Sequence, residues 1–238
     1  MQKLKAELHS HASEDPYDRL PYSARTLIDR LSEERFDVLA LTLHGIQHFP
    51  DDLIKYADKR GILLIPGVEA FIEGKHTLLY NFDFDPFKIN TFDDVRRNKR
   101  EDCLVIAPHP YYPGFSSLWS KLNRHRDIFD AVEYCHFYSR RVNLFNLMAV
   151  RKARKLKLPM VGTSDIHSLR QVGLTYSLIE ADKTVSGVID AVKKGRVDIV
   201  SNPLRFEAIL SIVPEIMIEK TSRALHGQLR FDPKRVKL

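Results

Sequence analysis

The chain has 238 residues, of which 44% are apolar and 29% charged, a size and balance that suit one large α/β core and exclude disordered or fibrous classes. Ten glycines and twelve prolines are too few for collagen-like or low-complexity sequence, and two cysteines cannot build a disulfide framework. The formal charge of +6, from 37 basic against 31 acidic residues, is a weak pointer to anionic partners.

In chain order, short apolar runs bounded by charge, Gly or Pro predict strands at 4–8, 37–42, 62–68, 103–107, 131–134, 159–162 and 197–200. Helical periodicity fills the gaps at 24–35, 51–60, 142–156 and 185–194, with Ser23 as an N-cap and Gly61 and Gly195 as stops. Two further extended segments, 77–82 and 174–179, read as additions to loops. A β-then-α rhythm implies parallel strands joined by crossover helices, in a closed barrel or an open doubly wound sheet. After Ser201-Asn202-Pro203 the pattern changes, so the expected division is a barrel over 1–203 and a C-terminal cap with a basic tail over 204–238. Gln2-Lys3-Leu4-Lys5 is no signal core. The longest stretch without acid or base, 103–120, is too rich in proline and serine to span a membrane. A cytoplasmic location and no membrane partner are therefore expected.

The histidines fall where chemistry is expected. His9 and His11 follow the first predicted strand, and His44 and His48 the second. Glu69 closes the third, with His76 in the next loop. His109 follows the fourth strand, Glu133 and His136 the fifth, and Asp165 and His167 the sixth. Loops at the carboxyl ends of parallel strands converge on one face, so eight of the ten histidines gather at one mouth. Only His125 and His226 fall elsewhere, and both are assigned to solvent. Crowded imidazoles would repel if protonated, whereas imidazole and carboxylate together suit borderline divalent metals. A carboxylate such as Glu69 can bridge two ions, the arrangement of a two-metal clamp on a phosphoryl group.

Read in order, His9-Ser10-His11, Leu41-Thr42-Leu43-His44, Gly67-Val68-Glu69, Ala107-Pro108-His109-Pro110 and Ser164-Asp165-Ile166-His167 resemble the motifs of the PHP (polymerase and histidinol phosphatase) family over roughly residues 3–202. The resemblance implies a distorted TIM-like (βα)7 barrel with parallel strands and two or three divalent ions, Zn, Mn or Fe. It implies one ion on His9, His11, Glu69 and Asp165, and a second on Glu69, His109 and a group from the fifth strand. A third would use Asp15, His44 and His167. Two positions depart from the family pattern: Leu43 stands where an Asp is usual, and Glu14-Asp15-Pro16 shifts the register of the acid after His11. The fifth strand offers Glu133, Cys135 or His136, of which His136 is taken.

Other residues carry two readings. His76 either touches the phosphate or a metal edge, or simply starts the next strand. Arg140 and Arg141 open a run with seven basic residues and no acid, and either bind phosphate or form solvated surface. Tyr111, Tyr112, Phe115 and Trp119 either stack a base or close their own loop. The implied activity is hydrolysis of a phosphate ester of a small metabolite or nucleotide through a metal-activated hydroxide. The alternatives are a nuclease trimming RNA or DNA ends, with nucleic acid as partner, and a non-catalytic PHP scaffold.

Overall fold

The computed structural model describes residues 2–204. The cap and tail expected beyond Leu204, with His226, lie outside the described residues. Nine strands form one sheet: β1 (Gln2–Glu7), β2 (Val38–Leu41), β3 (Leu63–Ile72), β4 (Lys75–Tyr80), β5 (Leu104–Ala107), β6 (Ala131–Cys135), β7 (Met160–Thr163), β8 (Thr175–Ala181) and β9 (Val197–Ser201). Their spatial order is β7-β6-β5-β4-β3-β2-β1-β8-β9. Strands β1 to β3 are mutually parallel, as are β5 to β7.

The barrel closes where β7 meets β8 and β9. Gly162 has no side chain, and a Cβ there would lie 2.6 Å from Ile199 Cγ2, so only glycine lets the strands approach this closely. The Ser177 hydroxyl accepts from Gly162 N–H at 3.0 Å and donates to Gly162 C=O at 2.9 Å. The Ser164 hydroxyl bonds both backbone groups of Thr175 in the same way. At the mouth, His11 N–H donates to Ile166 C=O and Ile166 N–H to His9 C=O, which joins the end of β1 to the chain leaving β7. The expected distorted barrel is thus observed.

It is not parallel throughout. The segments read as loop additions are barrel strands: β4 lies antiparallel between β3 and β5, and β8 antiparallel beside β1. For β4 the cause is the turn at Glu73-Gly74, where both residues have positive φ (48° and 72°), the two-residue hairpin geometry that sends β3 straight back as β4. Because β3 runs on to Ile72, Glu69 sits inside the strand rather than at its end.

Helices α1 (Ala24–Glu33), α2 (Asp51–Lys59), α5 (Leu144–Leu156) and α6 (Val185–Lys193) match the periodic segments, and α3 (Phe92–Asn98) and α4 (Ser120–Arg124) are additional. Ser23 caps α1 by accepting from Thr26 N–H, and Leu27, Ile28 and Leu31 bury its inner face. These pack with Leu39, Leu41 and Leu43, so Leu43 is a core residue. In α3 a reciprocal bond between Thr91 and Asp94 makes a capping box. His125 is not a solvent residue: it stacks on Phe92 at 4.1 Å. No described helix is long and apolar enough to cross a membrane.

Candidate metal centre

Strand alternation puts His9 and His11 on one side, while the Ser10 hydroxyl between them turns away to donate to Ala40 C=O. Both rings are fully buried, 5.4 Å apart. The barrel brings Glu69 from β3 and Asp165 from the loop after β7 against them. His9 Nε2 lies 3.4 Å from Glu69 Oε2 and 3.3 Å from Asp165 Oδ1. His11 Nε2 lies 3.4 Å and 3.5 Å from the same two oxygens. Ligands placed tetrahedrally at about 2.0–2.1 Å from a metal stand about 3.3–3.4 Å apart, which is the spacing seen here. His9 Nε2, His11 Nε2 and Asp165 Oδ1 are buried without a hydrogen-bond partner among the described residues.

The other ring nitrogens are engaged. His9 Nδ1–H donates to Glu133 Oε1 at 2.7 Å, and His11 Nδ1–H to Asp15 Oδ2 at 2.9 Å. His44 Nδ1–H donates to the same Asp15 oxygen at 3.0 Å, and His167 Nδ1–H to the Asp165 carbonyl at 3.0 Å. These acceptors fix tautomers that leave the Nε2 lone pairs facing the centre, the usual arrangement behind metal-ligating histidines.

Glu69 is the hub. Its Oε2 lies 3.0 Å from His44 Nε2, and its Oε1 lies 2.5 Å from His76 Nδ1 and 3.3 Å from His109 Nε2. A further cluster joins Asp18 Oδ2 to His167 Nε2 at 3.1 Å and to His44 Nδ1 at 3.3 Å. Groups of donor atoms compact enough for a metal ion are His9, His11 and Asp165; His9, Glu69 and His109; His44, Glu69 and His76; and His11, Asp15, Asp18 and His44.

Electrostatics reflect the crowding. Burial opposes charge on His9, but the carboxylates of Asp165, Glu133 and Glu69 outweigh it and hold its pKa well above the usual imidazole value. His44 follows the same logic, with Asp15, Asp18 and Glu69 prevailing over burial. His167 rises to about 9 despite burial, through Asp165 and Asp18. Burial likewise opposes ionisation of Glu69, yet His76, His9 and His44 hold it well below the usual carboxylate range. For His76 burial wins, and its pKa falls to about 4. His109 and Asp165 both adopt positive φ (24° and 46°), backbone strain of the kind that gathers at functional sites.

His9, His11, Asp15, His44, Glu69, His76, His109, Asp165 and His167 are therefore brought together. His136 is not among these donor groups. It is buried, its Nε2 accepts from the Gln171 side-chain amide at 2.8 Å, and burial lowers its pKa to about 4. Arg140 and Arg141 are exposed in the loop between β6 and α5. Asp15 is saturated: Oδ2 also accepts from His44 N–H, and Oδ1 accepts from Tyr17 and Asp18 N–H. Two acids escaped the sequence reading. Asp18 is 3% exposed and reaches His44 and His167. Glu7 is fully buried and accepts from His9 and Ser164 N–H. Glu133, one of the three alternatives for the single fifth-strand ligand, is also buried, and accepts from the His109 N–H and the Thr163 hydroxyl besides His9.

Residues 143–197 match the family model for PHP-associated sequence. No curated protein matches the chain. Among solved structures, it is similar to a two-domain protein from Bacteroides vulgatus containing a predicted PHP-like metal-dependent phosphoesterase, at 20% identity and a TM-score of 0.67, covering 88% of this chain and 68% of that one. It is similar to PsfC from Pseudomonas syringae at 16% identity and a TM-score of 0.63, covering 93% and 99%. The lesion-specific endonuclease PfuEndoQ from Pyrococcus furiosus shares 14% identity at a TM-score of 0.55, covering 83% of this chain and 57% of that one. At these identities the likeness is one of fold. The PHP-associated segment and the shared barrel bear out the resemblance to the PHP family that the ordered motifs carry.

Proposed function

We propose that the chain is a metal-dependent hydrolase of phosphate esters, acting on a small phosphorylated metabolite or a nucleotide. The observation that carries the reading is the face made by His9 Nε2, His11 Nε2, Glu69 Oε2 and Asp165 Oδ1. Three of these atoms, His9 Nε2, His11 Nε2 and Asp165 Oδ1, are buried with no hydrogen-bond partner among the described residues, and a divalent cation would give them one.

In this reading Glu69 would be shared by two ions, with His44 Nε2 beside its Oε2 and His76 and His109 beside its Oε1, and Asp18 and His167 Nε2 would hold a third. Asp15 and Glu133 orient imidazoles instead of ligating. His136 stays bonded to Gln171. Mixed imidazole and carboxylate donors suit Zn, Mn and Fe alike. Metal ions at such a site lower the pKa of water and draw charge from phosphoryl oxygens. The chain's own part is to fix the tautomers of His9, His11, His44 and His167, and to keep the inner donors out of solvent. Arg140 and Arg141 supply charge-assisted contacts to the substrate phosphate. A nuclease acting on strand ends would share this chemistry, and exposed Trp119 near Arg151 and Lys155 is the observation in its favour.

Metal analysis after reconstitution with Mn or Zn tests the reading: two or three equivalents are expected. Less than one equivalent would overturn it.

A further inference from the structure

The loop that leaves β5 at His109 returns to the surface as α4, and with one face of α5 it forms an open cleft of about 400 Å³. No residue of the metal centre lines it. Tyr111, Trp119 and Met148 supply the apolar wall, and Arg151, Lys152 and Lys155 the rim. A cavity of this size suits a ligand of mononucleotide dimensions.

The wall is held in place from behind. The Tyr112 hydroxyl donates to Phe137 C=O at 2.6 Å, and its ring packs on Phe145 at 5.2 Å. Trp119 adopts a φ of 45°, a conformation unfavourable for a bulky side chain, and remains 41% exposed. Its indole meets Tyr111 edge to face at 5.7 Å. Tyr111 is only 6% exposed, and its buried hydroxyl has no hydrogen-bond partner among the described residues. An exposed indole held on strained backbone against a buried ring offers its flat face to a planar ligand.

The rim adds a charge requirement. No acid occurs from Arg140 to Lys157, and none lines the cleft. Among the described residues no carboxylate pairs with Arg151, Lys152 or Lys155. Arg151 and Lys155 are one helical turn apart on α5, so both face the same ligand. Free phosphate would leave the aromatic wall unused, and an uncharged ring would leave the cations unused.

We propose that this cleft is a nucleotide subsite separate from the metal centre. The base lies against Trp119, and a phosphate meets Arg151, Lys152 and Lys155. The proposal extends the hydrolase reading by naming a ligand class, yet it does not depend on metal and can fail without it.

Trp119 is the only tryptophan, so its fluorescence reports occupancy directly. The full chain, with and without chelator, would be titrated with AMP, a single-stranded pentanucleotide, adenosine and inorganic phosphate. AMP or the pentanucleotide should quench saturably in both conditions, with adenosine and inorganic phosphate at least ~10-fold weaker. The double variant Arg151→Gln/Lys155→Gln should bind at least ~10-fold more weakly and show a shallower salt dependence. Its melting temperature and its turnover of a small chromogenic phosphate ester should be unchanged. Tighter binding of the pentanucleotide than of AMP identifies a strand end as the source, and the reverse a free nucleotide. Absence of saturable quenching by either, or quenching indifferent to the double substitution, overturns the subsite and leaves the hydrolase reading standing.

Discussion

Glu69→Gln removes one negative charge from the most crowded point of the centre while keeping the side chain's size. Glu69 is 1% exposed, and its two oxygens lie between 2.5 Å and 3.4 Å from nitrogens of His9, His11, His44, His76 and His109. Loss of a group that merely orients a metal ligand costs about 10–100-fold in affinity. A ligand shared by two ions should cost at least the upper figure, about 100-fold, or about 2.7 kcal/mol. At a metal concentration near 100 times its Kd, the native chain gains about 2.7 kcal/mol of stability. For a domain of this length that is a rise of about 5–11 °C in Tm. At the same metal concentration the variant sits near its own Kd and gains about 0.4 kcal/mol, a rise of about 1–2 °C. Thermal melts with and without Mn or Zn read the difference, with exposed Glu180→Gln as the charge control. A full metal-induced rise in Glu69→Gln would refute the bridging role.

Asp165→Asn should fold normally, because asparagine tolerates the positive φ of 46° at this position. It should lose at least ~100-fold in phosphate release, and near-native turnover at full metal occupancy would show that Asp165 is not a ligand. Asp18→Asn should lower the bound-ion count by one, whereas His136→Asn should leave it unchanged, since His136 Nε2 is taken by Gln171. Elemental analysis decides, and the opposite pattern would return His136 to the ligand set. Burial raises the Glu7 carboxyl pKa to about 8, above its ordinary 4.5. The stability linked to its protonation is complete below about pH 4.5 and is lost as pH rises through about 8. In chelator, the native melting temperature should therefore fall from pH 5 to pH 8 more steeply than that of Glu7→Gln. Equal slopes would contradict the burial argument.

The barrel was legible because its strands are short apolar runs cut off by charge, Gly or Pro, and its long helices carry clear periodicity. Strands β4 and β8 were visible as extended segments but not as barrel members. A βαβ rhythm predicts parallel neighbours, and the Glu73-Gly74 hairpin that reverses the chain is only two residues long. The short α3 announces itself only through the Thr91 and Asp94 cap. The histidines at the mouth were legible from their positions after the strands, but the acid was sought within Glu14-Asp15-Pro16, and Asp18, three residues further on, was not considered. In the fold, backbone N–H groups and two Nδ1–H groups occupy the Asp15 carboxylate, while Asp18 reaches His44 and His167. Glu7 was passed over as a charged strand residue, although its alternation with His9 and His11 places all three on one side. His136 lay within reach of the mouth by sequence, and only the packing shows that Gln171 claims it.

The central claim is that ions held by this cluster hydrolyse phosphate esters. The most direct measurement is inorganic phosphate release from a panel of nucleotides and small phosphomonoesters, by metal-replete protein, chelated protein and Glu69→Gln. Release that depends on metal and disappears in both chelator and Glu69→Gln is the predicted result. Turnover unaffected by either, or none from any substrate by protein with its ions fully bound, would contradict the account.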